Sequence, residues 1–236
     1  MEATPKSYKV LIGGEWVEDA STMSVTDKYS GELLGTVPMA SKETVEKAIA
    51  AAHAAFPAFS RTPAHKRSAM LAKTVQLLDT YKEEIATIIC REAGKAWKYS
   101  IGEVVRGMET MQFAADEAKR IHGETIPLDA SLTGEGRMGF YLRCPVGVVA
   151  AITPFNFPLN LVTHKVGPAL AAGNTIVLKP ASTTPLTAIR LGEILEEAGV
   201  PAGVFNVVVG SGSVVGDQLV SDPRVKIGRA SCRERV

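Results

Sequence analysis

Three apolar runs spaced through the second half of the chain, "VGVVAAIT", "NTIVLK" and "VFNVVVG", constrain its fold more than any other feature. Each is followed by a segment of helical character: "LVTHKVGPALAAG", "TPLTAIRLGEILEEAG" and "SVVGDQLVSD". A strand that is apolar at nearly every position, instead of at alternate ones, must be buried on both faces, as in a parallel sheet covered by helices. Thr184-Pro185 suits the start of the second helix and Gly199 its end. The pattern predicts three strand–helix units joined by short right-handed crossovers, an α/β architecture with a mostly parallel sheet. "RVKI" then starts a fourth strand, and the regular pattern is expected to stop there.

The first half has a different rhythm. "KVLIGGEWVEDA" reads as a hairpin turning at Gly13-Gly14, and "YSGELLGTVPM" as part of a second strand pair with a glycine in each turn. From Ser41, a helix cap with Glu43 and Thr44 in the first turn, Val45, Ile49, Ala52 and Phe56 recur at helical spacing, with Pro57 near the end. Thr62-Pro63 is expected to open one long helix running to Gly94, with Met70, Leu71, Leu77, Leu78, Ile85, Ile88 and Ile89 on its apolar face. Helical character resumes through "WKYSIGEVVRGMETMQFAADEAKRI", where Gly102 and Gly107 point to close helix packing. "IHGETIPLDASLTGEGRMGFYLRCPVG" then reads as an extended edge ribbon, the sort of exposed edge that a partner subunit covers.

A chain of 236 residues is long enough for one large domain or two small ones. Its formal charge of +1 offers no field for nucleic acid or an anionic membrane, and Trp16 and Trp97 lie outside basic patches. No apolar signal-peptide core precedes Gly13-Gly14, and Pro154, Asn156 and Pro158 interrupt the most apolar stretch, so a cytoplasmic location is expected. The three cysteines, Cys90, Cys144 and Cys232, are too scattered for a disulfide framework. No closely spaced Cys/His set suggests a metal site.

Parallel sheets take ligands beyond the carboxyl ends of their strands, which selects three segments. After the third strand, "GSGSVVG" is one residue longer than the usual dinucleotide fingerprint. Gly212 there either lets a diphosphate approach the backbone or simply turns the chain into a helix. After the second strand, Lys179 is placed to meet an anion or hydroxyl, or is a surface lysine at a strand end. Nearby, Ser182 is placed to donate to a ribose or phosphate oxygen, or belongs to the polar run capping the next helix. After the first strand, "ITPFNFPLN" sets Asn156 between two aromatics and two prolines. A carboxamide held there can donate to an oxygen that becomes negative in a transition state; alternatively it satisfies backbone groups of a turn.

Taken together, "PVGVVAAITPFNFPLNLVTHKVGPALAAGNTIVLKPASTTPLTAIRLGEILEEAGVPAGVFNVVVGSG" resembles the nucleotide-binding half of the aldehyde dehydrogenase superfamily. The likeness extends back through "GEV", "REAGK" and "IGGEWV", covering residues 10–226. It implies a Rossmann-like, mostly parallel sheet with flanking helices and a protruding antiparallel oligomerisation ribbon, the whole fold being incomplete. It also implies oxidation of an aldehyde substrate with NAD or NADP through a cysteine thiohemiacetal and thioester, with a glutamate activating water, in a homodimer or homotetramer.

By motif, Asn156 resembles the oxyanion-stabilising asparagine, and Ile152, Thr153, Pro154 and Phe155 the segment beside the nicotinamide ribose. Lys179 resembles the lysine that grips the adenosine ribose, and Gly212 a glycine near the adenine and diphosphate. Ser182 stands where NAD-preferring members often carry Glu, whose carboxylate repels a 2′-phosphate, so NADP use becomes acceptable without excluding NAD.

The family pattern implies further segments after "RVKI", bearing the general base and the nucleophile, that this sequence does not contain. None of its three cysteines sits in a nucleophile's constellation. The expected organisation is 1–122 and 144–226 as parts of the nucleotide-binding domain, 123–143 as the ribbon, and 227–236 as a non-native tail. One spelling of "IGRASCRERV", ATC GGA AGA GCG TCG TGT AGG GAA AGA GTG, resembles a widely used sequencing adapter read in frame. The chain by itself is expected not to turn over aldehydes. The competing expectation is a noncatalytic nucleotide-binding or regulatory module.

Overall fold

The computed structural model describes residues 6–230. Five short strands come first: β1 (Lys6–Ser7), β2 (Val10–Ile12), β3 (Glu15–Val17), β4 (Thr22–Thr26) and β5 (Leu33–Pro38). Four helices follow: α1 (Lys42–Phe59), α2 (Ala64–Thr80), α3 (Lys82–Ala93) and α4 (Trp97–Glu117). A hairpin of β6 (Glu124–Ile126) and β7 (Gly139–Tyr141) leads to the alternating half. That half comprises β8 (Val148–Ile152), α5 (Asn160–Ala171), β9 (Thr175–Lys179), α6 (Leu186–Glu197), β10 (Phe205–Val207), α7 (Asp217–Ser221) and β11 (Val225–Ala230).

The last four strands form one parallel sheet in the order β10-β9-β8-β11. Val148 to Ala151 and Ile176 to Leu178 are all buried. Because successive strand residues face opposite sides, both faces of the sheet are therefore covered. Helix α1 lies against β8, β9 and β10, α5 against β8 and β9, and α6 against β10. The chain steps from β8 to β10 in one direction and then returns to set β11 on the other side of β8. The strand order thus reverses beside β8, the position where open α/β sheets form a ligand crevice.

The hairpin β2–β3 turns at Gly13 and Gly14, with φ of 66° and 89°, values that a side chain would strain. It is stapled to the sheet by Asn206, fully buried in β10, whose Oδ1 accepts from the Gly13 amide at 2.8 Å. The Asn206 amide group donates to the carbonyls of Ile176 and Gly203. In the pair β4–β5, Gly31 makes the turn, but Gly35 lies inside β5. A Cβ there would sit 2.2 Å from the carbonyl oxygen of Lys6, so Gly35 permits β1 to approach and is not a turn residue.

Three expectations about elements change. The long helix divides at Tyr81 into α2 and α3, because tertiary contacts hold that residue off the helical path (φ −97°, ψ 15°). Its hydroxyl lies 3.1 Å from Glu197 and its ring carries the Arg190 guanidinium at 4.3 Å. The cap of α2 is Pro63, not Thr62, whose carbonyl instead accepts from Arg67. Strand pairing also does not stop at "RVKI": β11 runs to Ala230, with Gly228, Arg229 and Ala230 in register with Ala150, Ala151 and Ile152. Ladder bonds use the main chain, so β8 can template a partner whatever side chains it brings.

The ribbon is shorter than its extended pattern, with 3₁₀ turns at Leu128–Ala130 and Leu132–Gly134 between β6 and β7. It exposes Leu132, Met138 and Phe140. No helix among the described residues is long and apolar enough to cross a membrane.

Candidate functional site

The three segments selected by the strand ends meet at one edge of the sheet. Ile152 ends β8 in register with Lys179 at the end of β9. The Thr153 amide extends that pairing by donating to the Lys179 carbonyl at 3.1 Å. Thr153 and Lys179 are each only 4% exposed. The next strand is tied in by Ser182, whose Oγ donates to the Gly210 carbonyl at 3.0 Å. Ser182 therefore bridges the second and third loops and does not cap α6.

Beyond β8 the chain emerges from the core. Pro154 is buried, whereas Phe155 and Asn156 are exposed at the mouth of the edge. Beyond β10, Gly210 is the glycine that packing requires, since a Cβ would lie 2.6 Å from Val215. Gly212 opens a single π turn, Gly212–Gly216, that precedes α7 and replaces the first half of the expected helix. Ser211 caps this turn by accepting from the Val214 amide at 3.3 Å. Around Gly212 the space a Cβ would occupy is open.

Two fully buried carboxylates, to which the local sequence pattern assigns no role, hold this edge from behind. Glu92, at the end of α3, accepts from the amides of Leu186 at 2.7 Å and Thr187 at 3.0 Å, and from the Thr187 hydroxyl. It supplies the N-terminal cap that α6 lacks locally. Burial pushes its carboxyl up to about 7, against the pull of those hydrogen bonds. Glu103, in α4, does the same for α5, accepting from Leu159 at 2.9 Å and Asn160 at 3.1 Å. Its second oxygen is paired with Lys95. The signal was present: "REAGK" and "GEV" contain Glu92, Lys95 and Glu103.

Cys90 is half-buried in α3 and Cys144 is exposed, neither at this edge; Cys232 lies outside the described residues. No group of three or more His, Cys, Asp and Glu among the described residues is arranged to hold a metal ion. The donor set does fit a dinucleotide. It combines a buried ammonium at Lys179, accessible backbone at Gly212, and a carboxamide at Asn156 beside an exposed aromatic.

Fold and edge together define a Rossmann-like α/β protein in which the loops after β8, β9 and β10 meet at the carboxyl edge of the parallel sheet. The chain belongs to the aldehyde dehydrogenase family, whose model matches residues 16–228. A 3-sulfolactaldehyde dehydrogenase of Priestia aryabhattai is 45% identical over 222 residues, covering 94% of this chain and 46% of that protein. The NADP-dependent glyceraldehyde-3-phosphate dehydrogenase of Bacillus halodurans, solved with NADP, superposes with a TM-score of 0.91 at 40% identity. That likeness covers 94% of this chain and 48% of the other. An NAD-dependent aldehyde dehydrogenase of Sinorhizobium meliloti gives a TM-score of 0.90 at 39% identity, over 96% of this chain and 45% of its own. The chain thus spans about half the length of the relatives it matches.

Proposed function

We propose that this chain is the nucleotide-binding part of an enzyme that oxidises an aldehyde to a carboxylic acid with NAD or NADP. The observation that carries the reading is the linkage of three loops at one sheet edge, Thr153 to Lys179 at 3.1 Å and Ser182 to Gly210 at 3.0 Å. A nicotinamide held at this edge would supply the two-electron hydride acceptor that oxidation of an aldehyde to an acid requires. Lys179 donates to the hydroxyls of the adenosine ribose, and the Gly212 turn leaves the diphosphate room to approach the backbone. Ile152, Thr153, Pro154 and Phe155 form the wall beside the nicotinamide ribose. Asn156 donates its amide N–H to the substrate oxygen as negative charge develops there. The family pattern also includes a nucleophile and a general base, and among the described residues neither Cys90 nor Cys144 lies at this edge. The hairpin β6–β7 is the proposed contact between subunits of a homodimer or homotetramer.

Titration of the 236-residue chain with NAD and NADP tests the site. Saturable binding of either nucleotide is expected, weakened about tenfold or more, or roughly 1.4 kcal/mol, by Lys179→Met. Failure of both nucleotides to bind at millimolar concentration would refute the reading. Ser182 offers no negative charge to a 2′-phosphate, so NADP is accepted, and Ser182→Glu should shift the preference toward NAD by about tenfold. An unchanged NAD-to-NADP affinity ratio in that variant would show that the position does not discriminate.

A further inference from the structure

The loop between β8 and α5, residues 153–159, is tied at its start by the Thr153 amide on the Lys179 carbonyl and at its end by the Phe157 carbonyl, which accepts from the Leu161 amide. Its middle has few donors of its own. Pro154 and Pro158 carry no amide hydrogen, so neither can donate to a turn or a ladder. Asn156 and Phe155 stand exposed between them. The loop is instead gripped from outside at both ends of its outer half. Lys95 donates from Nζ to the main-chain carbonyl of Asn156 at 2.8 Å, and the same ammonium lies 4.2 Å from the centre of the Phe157 ring. Three and four residues beyond Asn156, the amides of Leu159 and Asn160 donate to Glu103. Lys95 and Glu103 are bonded to each other, which closes the grip into one unit.

The electrostatics make this unit rigid. The Glu103 side chain is 0% exposed and that of Lys95 17%. A carboxylate so buried is tolerable only when its oxygens are saturated, and here two amides and one ammonium saturate them. Displacing the loop would strip donors from a buried charge.

We propose that Lys95 and Glu103 are positioning residues: they clamp the loop so that the wall beside the nicotinamide and the Asn156 carboxamide are set before the nucleotide arrives. The clamp therefore acts on affinity through pre-organisation, since ordering the loop is no longer part of binding. Its effect on nucleotide affinity rests on the function proposed above, whereas its effect on loop order does not.

The test uses the 236-residue chain as wild type, Glu103→Gln, Lys95→Met, Lys95→Arg and, as a core control in the same helix, Val104→Ala. Amide hydrogen exchange is read at Leu159 and Asn160 against Ile176 and Val177 of β9, and NAD and NADP dissociation constants are measured. Glu103→Gln and Lys95→Met should speed exchange at Leu159 and Asn160 by about tenfold or more relative to β9. They should also weaken nucleotide binding by roughly three- to tenfold. Lys95→Arg, which keeps charge and donors, should restore both, and Val104→Ala should leave both near wild type after matching for midpoint of unfolding. Exchange that rises uniformly with lost stability in all variants would overturn the clamp, as would unchanged nucleotide affinity in a folded Lys95→Met. If Glu103→Gln does not fold, the partly exposed Lys95 carries the same comparison. A wild type that binds neither nucleotide refutes the proposed function, and the exchange ratios then still decide whether the clamp exists.

Discussion

At the scale of single residues, two glycines in helices carry opposite meanings. Gly102 in α4 faces open space, and Gly167 in α5 is pressed against α4, where a Cβ would lie 2.9 Å from the Ala114 side chain and 3.2 Å from the Met111 sulfur. Alanine is the better helix former by about 1 kcal/mol. Gly102→Ala should therefore stabilise the chain by about 0.5–1 kcal/mol, and Gly167→Ala should destabilise it by roughly 1–3 kcal/mol through overpacking. Urea unfolding of both variants checks the contrast; equal signs would contradict the packing described. The pattern in α4 predicts close packing at both Gly102 and Gly107, and only Gly107 meets it: a Cβ there would lie 3.1 Å from the Leu159 side chain. Period alone identifies a face, but which turn of that face touches a neighbour depends on the crossing of two helices.

At the scale of elements, helix ends separate what is local from what is not. The start of α1 is local: Ser41 accepts the Thr44 amide at 3.2 Å, and Asp19 supports the cap by accepting the Ser41 amide at 3.0 Å. Ser41→Ala should cost about 1 kcal/mol of stability by urea titration, and a change below the error of that measurement would rule out the cap. The starts of α5 and α6 are not local. Neither has a side-chain cap of its own, and each is closed by a glutamate 56 to 95 residues earlier in the chain. The division of α2 from α3 has the same character, since Tyr81 is held by Arg190 and Glu197 of α6. The local sign of the break is modest, the pair Glu83 and Glu84 in the first turn of α3.

At the scale of the whole molecule, the buried Glu92 couples the fold to pH. Its folded pKa of about 7 lies above the ordinary 4.5, so between those values the folded state holds a proton that the unfolded chain releases. Stability from this group is full below about pH 4.5, falls as pH rises toward 7, and is level above, a change of about 3 kcal/mol. Unfolding free energies measured at half-unit steps from pH 5 to 8 should decline, and Glu92→Gln should flatten the decline. A slope identical in wild type and variant would remove Glu92 as its source. Burial is also what divides the legible from the illegible here. The strands, their parallel arrangement, the Gly13-Gly14 turn and the edge where three loops meet follow from apolar runs and turn residues, which act between near neighbours. Gly35, the break at Tyr81, the continuation of β11 to Ala230 and the seats of Glu92, Lys95 and Glu103 were decided by the tertiary structure. A buried charge must find its partners wherever packing brings donors, and local sequence does not encode that distance.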